Sequence, residues 1–235
     1  MSALALCGAA LVVAGGLAHG TWYRNSPIFG RVISRLPGHG RRVALTFDDG
    51  PNPEATPRIL DALSSLNVQA TFFLLGKHVD RWPKIAARVA TEGHCVGNHG
   101  WYHRKLHGRS PAYVRADIAR GATSILQATG VEPQLFRAPH GFRNPWVSPI
   151  AHSLGERVVG WSLGVWDSTV PGVDVIVQRT VNGVRPGSIV LLHDGDGYDP
   201  LGDRLQTAAA IVPIVQALRV RGFGFDVVGV AHSRQ

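Results

Sequence analysis

The sequence predicts an α/β fold in which a parallel sheet is covered by helices, and three observations carry that expectation. Short β-branched and aromatic runs alternate with helical stretches from residue 42 onward. The groups that could do chemistry fall where those runs stop, as they do at the C-terminal face of a (β/α) barrel. The 235 residues are 45% hydrophobic, enough for the core of one such domain, and no composition shift divides them.

Taken in order, residues 2–23 carry no Asp, Glu, Lys or Arg, and residues 3–18 are mostly Ala, Leu, Val and Gly. Residues 1–23 therefore read as an uncleaved membrane anchor, with a signal segment as the alternative. Residues 24–40 read as a connector. The anchor reading leaves sidedness open. Arg24, Arg31, Arg35, Arg41 and Arg42 all follow the apolar run, which by charge alone would place the body in the cytoplasm.

Strands are expected near 42–48, 69–75, 94–98, 135–138, 158–163, 188–192 and 223–229. Helices are expected near 54–66, 80–92, 111–129, 145–154, 173–183 and 203–221. Pro53 and Glu54 mark the start of the first of these helices, Gly93 the end of the second, and Ser110 and Pro111 cap the third.

The chemistry concentrates in two stretches. The first strand ends in Asp48-Asp49-Gly50-Pro51. Successive strand residues face opposite sides, so both carboxylates reach one point only if the chain bends there. The second stretch is His99-Gly100-Trp101-Tyr102-His103. Two imidazoles at i and i+4 meet on one helical turn and are a common grip on a divalent metal. Two His and one carboxylate leave coordination positions open for water and substrate, and the other carboxylate is then free to take a proton. Spacing alone does not say which Asp has which role. Asn98 is expected to shape the turn and to bond the second nitrogen of a ligand ring.

These motifs resemble the polysaccharide deacetylases of the NodB-homology type, carbohydrate esterase family 4. The resemblance runs through TFDDGP at 46–51, the His pair after Asn98, Arg137-Ala138-Pro139-His140-Gly141, the stretch 161–168, and the apolar strand ending at His193. It implies a distorted (β/α) barrel of about seven parallel strands, in agreement with the strand count, over residues 41–232. It implies Asp49, His99 and His103 as ligands of one divalent ion, Zn²⁺ first and Co²⁺, Ni²⁺ or Fe²⁺ as alternatives. It implies Asp48 as general base, Arg137 as its ion partner, His193 as general acid and Asp167 as the group orienting that His. It places a backbone N–H near His140 at the oxyanion, and Trp166 and Leu191 against the substrate. Three positions depart from the family pattern. His140 stands where Tyr or Phe is usual, Gly164 where an Asp is common, and Ser168 where the family's Asp-Trp pair has its Trp, whose place in the groove falls to Trp166 or Trp161. Asp194 is assigned to capping the turn after the strand, and the loop 195–204 to connection.

The activity implied is metal-dependent removal of an N-acetyl group from an N-acetylhexosamine in a polysaccharide, oligosaccharide or lipid-linked sugar. The alternatives are hydrolysis of a formyl or other acyl group on a related sugar, and a non-catalytic, membrane-tethered glycan-binding barrel. The partners expected are a carbohydrate and, through residues 1–23, a membrane, with the protein anchored or secreted and extracytoplasmic. The net charge is +8 with 21 Arg against 3 Lys, but the basic residues are scattered and form no nucleic-acid motif. No nucleic acid and no protein partner is expected. Two cysteines, Cys7 and Cys95, are too few for a disulfide framework.

Overall fold

The computed structural model describes residues 3–38 and 40–229, with the side chains of 3–10 excepted. The last three residues of the expected 41–232 domain lie outside the described ones. After the N-terminal helix α1 (Ala3–Trp22), the chain enters β1 (Arg42–Asp48), α2 (Ala55–Ser65), β2 (Thr71–Leu74), α3 (Gly76–Arg81), α4 (Pro83–Thr91) and β3 (Cys95–Asn98). It continues through α5 (Pro111–Thr129), β4 (Leu135–Phe136), α6 (Val147–Ser153), β5 (Arg157–Val158) and β6 (Leu163–Gly164). It closes with α7 (Val173–Gly183), β7 (Ser188–His193), α8 (Leu205–Val220) and β8 (Gly224–Phe225).

Seven parallel strands run in the order β5-β4-β3-β2-β1-β7-β6, and β8 pairs with the first residues of β1. The result is a distorted, incompletely closed (β/α) barrel. Strand alternation sorts the two faces. Val43, Leu45 and Phe47 of β1, Phe72 and Leu74 of β2, and Val190 and Leu192 of β7 pack outward against the helices. Ala44, Phe73 and Ile189 point the other way and meet Leu135 and Val159 inside the barrel.

Local chemistry explains where elements begin and stop. Ser110 Oγ accepts the Tyr113 N–H, with Pro111 in the first turn, and α5 ends on Gly130 in the left-handed region, φ 70°. Ahead of α2, whose N-cap position is Glu54, Asn52 Oδ1 accepts the N–H groups of Glu54 and Ala55 at 2.9 Å each. The single helix expected over 80–92 is two. Pro83 excludes Trp82 from helical geometry (φ −131°, ψ 60°) and starts α4 afresh. The strand expected over 158–163 is also two, because the chain crosses from the β4 edge of the sheet to the β7 edge at Val159–Ser162.

No ladder joins β5 to β6 among the described residues, and the connector lies along that seam. Ile33 bridges Val159, and Gly160 N–H donates to Ile33 O at 2.9 Å. Arg35 bridges Ser188, and Leu36 N–H donates to Gly187 O at 2.9 Å. Residues 33–36 thus complete backbone hydrogen bonds that the open sheet would otherwise leave to water.

The membrane-anchor reading of residues 1–23, and the anchored placement built on it, is overturned. No helix among the described residues is long and apolar enough to cross a membrane. The last turns of α1 instead pack on the barrel. Gly20 is buried, His19 Nδ1 lies 2.9 Å from Ser26 Oγ, and the Trp22 ring sits edge-on to Phe142 at 5.2 Å. A segment interrupted by Gly, His and Thr and shared with protein surface does not present the roughly 20 uniformly apolar residues a span requires.

Candidate active site

Asp48 and His193 are Cα partners in the β1–β7 register, and both lie on the inward-facing alternation. Behind Asp48 stands Arg137, fully buried, whose Nη1 donates to Asp48 Oδ1 at 2.6 Å and to Thr46 Oγ1 at 2.8 Å. Its Nη2 donates to Gly160 O at 2.9 Å, and the guanidinium lies 4.0 Å from the Phe73 ring centroid. Burial lowers the Arg137 pKa and Asp48 offsets part of that, yet a guanidinium stays charged at any working pH. The pair therefore holds a carboxylate in one orientation in a dry site.

The bend required at Asp49 is present: its φ is 74°. His78 Nδ1 lies 2.8 Å from the Asp49 carbonyl, which can only accept, so His78 donates and braces the turn. Gly50 follows because nothing larger fits: a Cβ there would lie 2.0 Å from Asp194 Oδ2. Asp194 accepts from Gly50 N–H at 3.1 Å and from Thr56 Oγ1 at 2.6 Å, so it ties β7 to the β1 turn rather than capping the turn that follows it. Burial pushes the Asp194 carboxyl up to about 7.

His99 and His103 do not share a helical turn. Gly100 and His103 both have positive φ, 78° and 57°, and the segment is a loop. Asn98 Oδ1 accepts the Gly100 N–H at 2.8 Å, and buried Asp117 accepts those of Trp101 and Tyr102 at 3.2 and 2.9 Å. The rings still converge, with centroids 5.3 Å apart. Asn98 shapes the turn as expected but does not hold a ligand ring. Its amide donates to Ile118 O and to Glu156, while His99 Nδ1 pairs with Arg137 O at 2.8 Å.

One ligand atom each from Asp49, His99 and His103 lie within 4.8 Å of one another, all three residues buried. Asp49 Oδ1 is 2.9 Å from His103 Nε2 and 3.3 Å from His99 Nε2. The Arg137 carbonyl makes His99 Nδ1 the protonated nitrogen, so a neutral ring turns its Nε2 lone pair toward a carboxylate oxygen. Two lone pairs facing each other in a dry site need a cation between them, and this donor set fits a divalent ion. Burial pushes the Asp49 carboxyl up, but His103 and His99 outweigh it and hold it well below the carboxylate range. For His99, burial pulls down while Asp48 and Asp49 pull up, and the sum is upward.

Across the cleft, His193 Nδ1 lies 2.8 Å from Asp167 Oδ1, while Asp167 Oδ2 accepts the His193 backbone N–H and the Thr207 hydroxyl, each at 2.8 Å. Burial alone would lower the His193 pKa; Asp167 outweighs it, and the imidazole is raised to about 9. Asp167 is itself held low by the same contact, against its burial.

A cleft of about 550 Å³ joins these groups and is lined also by Trp161, Gly164, Trp166, Leu191 and the loop residues Asp196, Gly197 and Tyr198. The 195–204 loop is thus part of the wall, not a mere connection. Gly197 backs His103: a Cβ there would sit 1.9 Å from its Nδ1. The His140 ring packs 4.6 Å from His103, with Nε2 2.9 Å from Tyr198 Oη, and burial pushes its pKa down to about 4. Trp166 is 69% exposed at the rim, and Trp161 faces the cleft. His78, Asp117, Thr207 and Tyr198 were not legible in advance, since each is brought in from a distant segment with no local motif.

The family described as polysaccharide deacetylase matches residues 35–159. A chitooligosaccharide deacetylase of Rhizobium leguminosarum bv. trifolii is 40% identical over 189 residues, 78% of this chain and 88% of the relative. A solved peptidoglycan N-acetylglucosamine deacetylase superposes with a TM-score of 0.79 at 32% identity, over 84% of this chain and 90% of its own. A carbohydrate esterase family 4 pseudoenzyme of Bacillus anthracis superposes with a TM-score of 0.77 at 27% identity, over 86% and 68%.

Proposed function

The chain belongs to the polysaccharide deacetylase family and is a hydrolase of that type, and on this premise we propose that it removes the N-acetyl group from an N-acetylhexosamine in a glycan or lipid-linked sugar. The reaction depends on one divalent ion, Zn²⁺ by donor set, held by Asp49, His99 and His103; Co²⁺, Ni²⁺ or Fe²⁺ suits the same donors. The domain assigned to this activity is 41–232. The observation that carries the reading is convergence: three metal-type donors line one cleft with an Arg-held carboxylate, Asp48, and an Asp-held imidazole, His193. Because a family pseudoenzyme has nearly the same fold, the reading rests on these side chains and not on the barrel.

When bound, the ion supplies Lewis-acid polarisation of the acyl oxygen and of the attacking water. Asp48, fixed by Arg137, takes a proton from that water as it adds to the acyl carbon. The resulting tetrahedral oxyanion accepts a hydrogen bond from the backbone N–H at His140. His193, kept protonated by Asp167, gives its Nε2 proton to the departing nitrogen, the carbon–nitrogen bond breaks, and acetate and a free amine leave. Leu191 seats the acetyl methyl and Trp166 the sugar.

Acetate release from a chitooligosaccharide by the metal-loaded protein tests this. Asp48→Asn and His193→Ala are expected to lose turnover while retaining the metal measured by elemental analysis. Near-full activity in either variant contradicts the roles assigned. Formate release from an N-formyl sugar without acetate release would favour the related deformylase.

A further inference from the structure

The cleft carries two cations that the deacetylation chemistry does not use. Arg24 and Lys105 both line it, and neither forms an ion pair among the described residues. Arg24 comes from the connector. Its guanidinium lies 5.0 Å from the Trp161 ring centroid, with Nε donating to Trp161 O at 3.4 Å, so its two terminal nitrogens keep their donors. The segment is pinned from behind: buried Arg143 donates to Ser26 O at 2.6 Å and to Arg24 O at 3.4 Å, and Asn25 Nδ2 donates to Trp161 O at 2.9 Å. Lys105 follows the His103 loop and places its ammonium 5.6 Å from the Phe142 ring centroid. The acids that line the same cleft are engaged elsewhere: Asp48 by Arg137, Asp49 by the two imidazoles, Asp196 by Arg204 at 2.6 Å.

We propose that Arg24 and Lys105, over the aromatic faces of Trp161 and Phe142, form an anion subsite that selects glycans bearing a carboxylate or phosphate beside the sugar that is deacetylated. The proposal rests on the deacetylase reading and adds a substrate class to it. Cations resting on aromatic faces keep their N–H groups for an incoming anion, and a cleft narrows the field they present. The connector thereby does more than seal the barrel seam; it contributes a specificity-determining side chain from outside the strand ends.

The test compares three substrates with the metal-loaded protein: a neutral chitooligosaccharide, a peptide-free glycan strand whose alternate sugars carry a carboxylate, and a chitooligosaccharide 1-phosphate. At low salt one or both acidic substrates are expected to show the higher kcat/KM, and which one identifies the anion. Arg24→Gln and Lys105→Gln each are expected to lower the acidic-to-neutral ratio by about two- to fivefold, through KM, as for a solvent-accessible charge pair. The preference is also expected to shrink as salt rises. An acidic-to-neutral ratio of one or less in the wild type, or a ratio that neither variant changes, overturns the subsite. If no substrate releases acetate, the deacetylase reading fails instead. Equilibrium binding of the acidic and neutral glycans to the same proteins then decides the subsite by the same ratios.

Discussion

Asp167→Asn isolates the contact that sets the working range of His193. The carboxylate lies 2.8 Å from His193 Nδ1 and is the main group raising that imidazole to about 9 against its burial. An amide keeps an acceptor for the Thr207 hydroxyl and the His193 backbone N–H but removes the charge. The imidazole then falls to its ordinary value near 6.5 or below, since burial is no longer opposed by Asp167. A general acid works only while protonated, so activity is lost as pH rises through its pKa. At pH 8 the protonated fraction drops from at most roughly 0.9 to roughly 0.03, a loss of up to about 30-fold that largely disappears near pH 6. A bound cation offsets the smaller contributions of Asp49 and Asp48, so the wild-type alkaline limb lies below 9, but the displacement due to Asp167 remains. The assay is acetate release at saturating metal across pH 5–10, with metal content checked in both proteins. An alkaline limb at the same pH in the variant, or a uniform loss at all pH values, refutes His193 as an acid tuned by Asp167.

Glu156 is 1% exposed and lifted by burial to about 8, its carboxyl receiving the Asn98 amide at 2.9 and 3.1 Å. Because its folded pKa exceeds the unfolded value, the folded state holds the proton longer, and stability declines from about pH 4.5 to 8; the full span corresponds to an upper bound of about 5 kcal/mol. Glu156→Gln should therefore melt several degrees above wild type at pH 9 and match it near pH 4.5, by calorimetry at both pH values. Gly197→Ala drives a methyl into His103 Nδ1 and should weaken Zn²⁺ binding about 10- to 100-fold, read as a smaller Zn²⁺-induced rise in Tm; an unchanged rise means that His103 does not bind the ion.

Much of the architecture was legible because strand and helix periods differ and the punctuation is strong. The run 42–48 appears as expected, and so do the helices over 111–129 and 173–183. The misreadings have local causes that only packing exposes. Pro83 divides one expected helix, and the crossing at Val159–Ser162 divides one expected strand. The apolar N-terminus looked like a membrane segment because composition does not report that its final turns rest on Phe29 and Phe142.

For the candidate site the division follows distance along the chain. The residues alone determined the donor types, their order, and that Asp48 and Asp49 need a bend to reach one point, because these depend on side-chain chemistry and the two-residue strand repeat. The tertiary structure decided which nitrogen of His99 faces the carboxylate, that the His pair rides on a loop rather than a helix, and which distant groups hold it. Hydrogen bonds from Arg137 to Asp48, from His193 to Asp167 and from the 101–102 backbone to Asp117 span 89, 26 and 15 or 16 residues. A linear pattern records no such separation, and only strand register and barrel closure bring those partners within bonding distance.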